Sequence, residues 1–219
     1  SNTTGARNSA FGYGSMKLNT IGVRNSAFGY GVMVQNVSGS NNTAVGFQAL
    51  YYNTTSANSA FGYKSLFANT TGRRNAAFGF AALQNNTIGI NNAAFGYQTL
   101  QTNTTGSNNT AIGESALRLN TTASNNTAVG FQAGYANTTG ADNVALGYQA
   151  LSDNTTGAEN TAVGKGALQE NTTGTENTAV GRLALRDNNG TENTAVGVNA
   201  AQRNTSGNYN TALGMSALY

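Results

Sequence analysis

One motif recurs along the whole chain at an almost fixed interval, and that periodicity restricts the fold more than any other property of the sequence. The glycines closing successive Asn-Thr-Ala-Val-Gly-like units are Gly12, Gly29, Gly46, Gly62, Gly79, Gly96, Gly113, Gly130, Gly147, Gly164, Gly181, Gly197 and Gly214. They lie 17 residues apart, except for 16 between Gly46 and Gly62 and between Gly181 and Gly197. Thirteen copies of one unit therefore follow one another, with the consensus N-T-T-G-x-x-N-T-A-V-G-x-x-A-L-x-x. Positions 1 and 7 are Asn, position 9 is Ala and position 11 is Gly in every copy. Each copy must place those residues in the same surroundings. Both one-residue deletions fall in the N-T-T-G-x-x segment, which marks it as a tolerant surface turn.

Helical repeats of the tetratricopeptide or ankyrin kind take more than about 30 residues, so this unit is too short for them. Asn, Thr and Gly are also poor helix formers. Two runs per copy can be strands, N-T-A-V-G and x-A-L-x. The turns between them, G-x-x and N-T-T-G, contain residues that accept positive φ. Each copy then makes one coil whose strands pair in parallel with those of the next. The expected fold class is all-β, a parallel β-solenoid or β-roll of thirteen coils of about 17 residues. The array covers residues 1–219 as a single domain and is expected to be a segment of a longer chain. Thirteen coils at ~4.8 Å each would stack to roughly 60 Å. Identical residues would stack too, so the two Asn columns can form amide ladders.

Asn at position 7, Ala at 9 and Gly at 11 share one strand face, which suits a tight interior. The other face carries Ser9, Ser26 and Thr43 in one column. A second column on that face is apolar throughout: Phe11, Phe28, Val45, Phe61, Phe78, Phe95, Ile112 and Val129, continuing through Leu146, Val163, Val180, Val196 and Leu213. The second run adds Leu50, Leu66, Leu83 and Leu100. One flat coil does not readily bury both sets. Either the Val/Phe column is the interior, or it faces another chain as a trimer or other homo-oligomer.

Composition removes several functional classes. There is no His and no Cys, so Ser-His and Cys-His nucleophile pairs are absent. The acids Glu114, Asp142, Asp153, Glu159, Glu170, Glu176, Asp187 and Glu192 all occupy variable positions, and no general acid–base pair can be assigned. The expectation is a non-enzyme, with no catalytic, cofactor-binding or metal-binding residue and no cofactor. A net charge of +3 with no basic run argues against nucleic acid. No apolar stretch approaches the ~20 residues of a membrane helix, so no membrane insertion is expected in this segment. Charged residues make up 9% of the chain, against about a quarter in ordinary domains. That composition would suit disorder, but the strict order of the copies argues against it.

The variable positions are graded along the chain. Residues 1–110 carry Arg7, Lys17, Arg24, Lys64, Arg73 and Arg74 and no acid, whereas residues 111–219 hold all eight acids. Asp142, Glu159, Glu176 and Glu192 fall in one column, and Asp153, Glu170 and Asp187 in another. Stacked like charges repel. They either splay into water, pair with neighbouring Arg, or meet a divalent cation or a basic partner. The asymmetry would also suit head-to-tail filament contacts that weaken with salt. Tyr13, Tyr30, Phe47, Tyr63, Phe80, Tyr97, Phe131 and Tyr148 form an aromatic column just after the Gly. It is either cross-coil packing or a stacking surface for sugars or a partner chain.

Asn53, Asn69, Asn103, Asn120, Asn137, Asn154 and Asn171 fit the N-x-[ST] glycosylation pattern, and a turn role accounts for them equally. An ice-binding solenoid would need flat rows of outward Thr. Here Thr104-Thr105 and Thr121-Thr122 are adjacent, so they point opposite ways in extended backbone.

The units Asn42-Thr43-Ala44-Val45-Gly46-Phe47-Gln48-Ala49 and Asn126-Thr127-Ala128-Val129-Gly130-Phe131-Gln132-Ala133 resemble the head repeats of trimeric autotransporter adhesins of the YadA-like type. Those carry S-V-A-I-G-x-x-A-like units, shorter than the present one by about N-T-T. The resemblance covers the chain copy by copy. It implies a left-handed parallel β-roll, three chains side by side, and an adhesive role at the cell surface toward host glycans or matrix. Similar Asn-Thr-Ala-rich arrays also look like the shafts of phage tail fibres. The functional expectation is therefore an extracellular structural or adhesive fibre segment, with a tail-fibre shaft and an ice-binding protein as alternatives.

Overall fold

The computed structural model describes residues 3–218, so Asn2, counted in the first-position column, lies outside the described residues. The chain divides into two compact units, Ser1–Asn108 and Asn109–Tyr219. Unit 1 holds β1 (Ser9–Phe11), β2 (Ser26–Phe28), β3 (Thr43–Val45), β4 (Ser59–Phe61), β5 (Ala76–Phe78) and β6 (Ala93–Phe95). Unit 2 holds β7 (Thr110–Ile112), β8 (Thr127–Val129), β9 (Val144–Leu146), β10 (Thr161–Val163), β11 (Thr178–Val180), β12 (Thr194–Val196) and β13 (Thr211–Leu213). Within each unit the strands follow chain order and pair in parallel, position for position. Ala10 lies opposite Ala27 and Ala162 opposite Ala179. The architecture is the all-β parallel solenoid that the 17-residue period predicts, and no helix occurs among the described residues.

Only one of the two expected strands per coil forms. The x-A-L-x run is a succession of turns in which the Leu is left-handed: φ is 51° at Leu50, 49° at Leu66, 51° at Leu83 and 49° at Leu100. Alternation explains why. An extended run would send Ala49 and Leu50 to opposite faces. The left-handed residue rolls both inward, and both are fully buried. Such backbone costs about 1–2 kcal/mol at an L-residue. Burying a Leu side chain returns about 1.5–3 kcal/mol. The rotated N–H also bonds across coils, Leu50 N to Ser65 O at 3.1 Å.

The core is narrow and half polar. Its apolar part is the position-9 and position-14 Ala and the position-15 Leu, as with Ala44, Ala49 and Leu50. Its polar part is the two Asn columns, buried in nearly every coil. The first column is a side-chain ladder: Asn86 Nδ2 donates to Asn69 Oδ1 at 2.8 Å and Asn103 Nδ2 to Asn86 Oδ1 at 2.8 Å. The second uses backbone donors, Asn92 N to Asn75 Oδ1 at 2.9 Å. Both columns then donate to one corner carbonyl. Gly106 O receives Asn92 Nδ2 and Asn103 Nδ2, each at 2.9 Å. The Val/Phe column is not interior. Phe28 is 43% exposed and Ile112 42%, while the Ala between the outward strand residues is buried.

The Gly at position 11 is required by contact. Its φ is +143° at Gly79, and a Cβ there would run into the carbonyl oxygen of Gly96 in the next coil.

The deletions are absorbed at the N-T-T corner, as their placement predicts. In full coils the first-position amide donates to a carbonyl three residues on, Asn69 to Gly72. In the short coils it reaches one only two residues on, Asn53 to Thr55 and Asn188 to Gly190. The second short coil also lacks a backbone carbonyl that its neighbour needs. Asn189 Oδ1 takes that place, accepting from Thr172 N at 2.7 Å. Among the described residues two buried side-chain oxygens have no hydrogen-bond partner, Asn171 Oδ1 beside this corner and Asn199 Oδ1 at position 13 of the short coil itself.

Four substitutions test this account in unit 1, read by urea unfolding. Gly79→Ala should destabilise by several kcal/mol, on the order of the largest single-residue effects. Gly14→Ala should cost only the about 1–2 kcal/mol of left-handed backbone at an L-residue, because φ is +71° there and no atom lies within 4 Å of the added Cβ. In the ladder, Asn86→Leu strands buried amide groups worth about 1–3 kcal/mol each and should cost about 3 kcal/mol. The exposed control Thr71→Ala should stay within about 0.5 kcal/mol.

Candidate binding surfaces

What remains for function is the outward set: positions 8 and 10 on the strand, position 12 just after the Gly, and the corners. In unit 1 the position-12 rings form one continuous pile. Tyr13, Tyr30, Phe47, Tyr63, Phe80 and Tyr97 stack with centroids 4.8–5.4 Å apart and planes within 17°. Phe61, Phe78 and Phe95 stack beside them at 4.6 and 4.9 Å. Among the described residues of unit 2 only Phe131 and Tyr148 stack, at 5.3 Å. Cross-coil packing is therefore what these rings do. Their faces are turned to one another, so edges and phenol hydroxyls are what a ligand would meet. The aromatic pile is not a row of free stacking platforms.

The column Phe11, Phe28, Val45, Phe61, Phe78, Phe95 in unit 1 and Ile112, Val129 and their successors in unit 2 runs along the outer strand face, half-exposed or exposed. Next to it in unit 2, the hydroxyls of Thr127, Thr161, Thr178 and Thr194 also point outward. Among the described residues none of these hydroxyls bonds within the chain. The corner Thr differ: Thr138 Oγ1 donates to Thr155 O at 2.9 Å and Thr155 Oγ1 to Thr172 O at 2.9 Å. The Thr pairs that the sequence offers for ice contact are thus partly engaged in holding coils together.

The acidic columns behave in two ways. Asp142, Glu159, Glu176 and Glu192 sit exposed at a left-handed corner, φ 55–59°. Among the described residues Asp142 alone of the four has a hydrogen-bond partner, accepting from Asn125 Nδ2 at 3.0 Å. In the second column Arg186 lies against Asp187, with Nη2 to Oδ2 at 2.8 Å, and its Nε is 3.8 Å from Glu170 Oε1. Asp153 accepts from Ser152 Oγ at 2.8 Å. Among the described residues no group of three or more His, Cys, Asp or Glu is disposed to hold a metal ion, and no helix is long and apolar enough to cross a membrane.

The N-x-[ST] asparagines at position 1 have their amide nitrogens inside the ladder. Asn69, Asn103, Asn137 and Asn154 are buried, and each donates to the preceding Asn at 2.8–2.9 Å. The turn and ladder role accounts for them, and in the folded chain those nitrogens are closed to modification.

One surface feature escapes reasoning from the consensus. A groove of about 170 Å³ opens on the first coils of unit 1, beside Tyr13 and Tyr30. Its signal in the sequence is a variable position, 13, that happens to be Gly in two successive copies, Gly14 and Gly31.

Fold and surface together define a parallel β-solenoid repeat protein. Comparison with protein-family models, curated proteins and solved structures finds no match for the chain.

The aromatic pile gives a stability prediction. Phe80 stacks on Tyr63 and Tyr97, and such pairs contribute about 0.5–1.5 kcal/mol each beyond their buried area. Phe80→Ala should lower the stability of unit 1 by about 2 kcal/mol in urea unfolding followed by tyrosine fluorescence.

Proposed function

We propose that the chain is a non-enzymatic fibre or adhesin segment that self-associates along its outer strand face, as a homotrimer or filament. Its setting is the cell surface or a virion tail fibre. The observation that carries this reading is the apolar column at position 10, present in every coil, in strand register and partly exposed. Contiguous apolar stripes of this kind mark interaction surfaces. An identical chain is the simplest partner, because its stripe has the same repeat. Phe78 lies at the centre of a three-ring stack on that face and makes the natural test position. Light scattering of the purified chain should report an oligomer, and Phe78→Lys should shift it toward monomer. A stable monomer at tens of micromolar would overturn the reading.

One observation favours a second reading, ice binding. The strand Thr column of unit 2 presents unbonded hydroxyls in register beside Val methyls, a rigid array able to order water. It predicts thermal hysteresis in a droplet assay that Thr161→Lys and Thr178→Lys abolish. Ordinary freezing by the parent chain removes it.

A further inference from the structure

We infer that the groove on the first coils of unit 1 is a subsite for an acidic sugar residue of a glycan. This deepens the adhesive reading by giving it a ligand class, and it rests on that reading for its biological setting.

The groove exists because of what is missing. At position 13 most coils of unit 1 carry a side chain, as at Gln48, Lys64, Ala81 and Gln98. Gly14 and Gly31 leave the floor bare. A Cβ on Gly14 would meet nothing within 4 Å, and one on Gly31 would come no nearer than ordinary contact, 3.5 Å from Gln48 Cγ and 3.8 Å from the Tyr51 ring. In unit 2, by contrast, the space above Gly166 is taken by the Leu183 side chain, 2.7 Å from where a Cβ would sit. Tyr13 and Tyr30, stacked on one another, line the groove with Lys17, Val34, Gln48 and Tyr51.

This combination selects a class of ligand. Val34, the carbon rims of the tyrosines and a bare glycine floor offer dispersion contact to the C–H groups of a sugar ring. Phenol hydroxyls, an amide and an ammonium can serve its hydroxyls, the mixture of apolar walls and few polar groups usual in ligand sites. At 170 Å³ the groove is smaller than the about 300–1,000 Å³ of drug-sized sites, so it takes one ring of a longer chain. The lining's one charged group is Lys17, and residues 1–110 contain six bases and no acid. A carboxylate or sulfate on the ring therefore meets a uniformly favourable field.

Gly14→Gln/Gly31→Gln gives a filling variant whose new side chains have precedents in the chain. Gln48 and Gln98 hold φ of 54° and 53° at the same position, against 71° and 62° at Gly14 and Gly31. Isothermal titration of the whole chain would use three probes: oligogalacturonate for carboxylate, heparin oligosaccharide for sulfate, and dextran oligosaccharide as the neutral control. At least one acidic probe should bind at least tenfold more tightly than dextran, and more weakly as salt rises. The filling variant should lose at least tenfold, and Lys17→Gln should weaken the acidic probe while leaving dextran unchanged. Circular dichroism checks that both variants keep the parent fold. The inference is overturned if no probe binds, if dextran binds as well as the acidic probes, or if the folded filling variant binds like the parent. Light scattering of the same samples separates the two readings: lost sugar binding with an unchanged oligomer isolates the groove, and a monomer that still binds refutes self-association alone.

Discussion

At most corners of the stack two side-chain amides end on one backbone carbonyl, and the thinness of the coil depends on that meeting. In unit 1 Gly39 O receives Asn25 and Asn36, and Gly106 O receives Asn92 and Asn103. In unit 2 Gly157 O receives Asn143 and Asn154. Half of the interior is therefore amide rather than hydrocarbon. A buried amide without partners is costly, so such a core is stable only where nearly every donor and acceptor is matched. The exception at Asn171 shows how local the requirement is. The second short corner leaves Asn171 Oδ1 unmet and the ladder resumes where Asn204 donates to Asn188, whereas the first short corner keeps its rung, Asn53 Nδ2 to Asn36 Oδ1 at 3.1 Å.

The backbone completes the same pattern. Left-handed residues at positions 6, 13 and 15 turn their N–H groups toward neighbouring coils: Asn41 N to Val23 O, Gln48 N to Tyr30 O, Leu50 N to Ser65 O. Conformations that are unfavourable singly become repeatable because each one makes the same bond in the next coil. At positions 6 and 13 that bond is made by the backbone alone. This is why position 13 accepts Gly, Gln, Lys, Ala, Ser, Leu and Asn with one backbone shape, and why surface chemistry varies while the stack does not.

Much of this was legible in the sequence. Invariant Asn, Ala and Gly positions have one structural meaning each, so period, parallel register and amide ladders all follow from them. The misreading of x-A-L-x as a strand has a physical source. Its composition suits a strand, but its burial demands Ala49 and Leu50 on the same side, which only a left-handed residue provides. The side of the Val/Phe column stayed open in the sequence because apolar residues occur on both strand faces, and it was settled by the Asn and Ala columns filling the interior. The groove could not be foreseen. It results from the absence of side chains at two copies of a variable position, and its shape depends on where Tyr51 and Gln48 lie across coils.

Position-for-position register has a genetic corollary. A duplication or loss of one whole unit joins two coils whose corner amides, strand and glycine still face their counterparts. Unequal recombination within such a gene would change the number of coils in integral steps while each new junction matched the old ones. Length becomes a heritable variable in which each added coil contributes one more set of the same nearest-neighbour contacts, and individual copies are free to carry their own surface residues, as the first two do with Gly14 and Gly31.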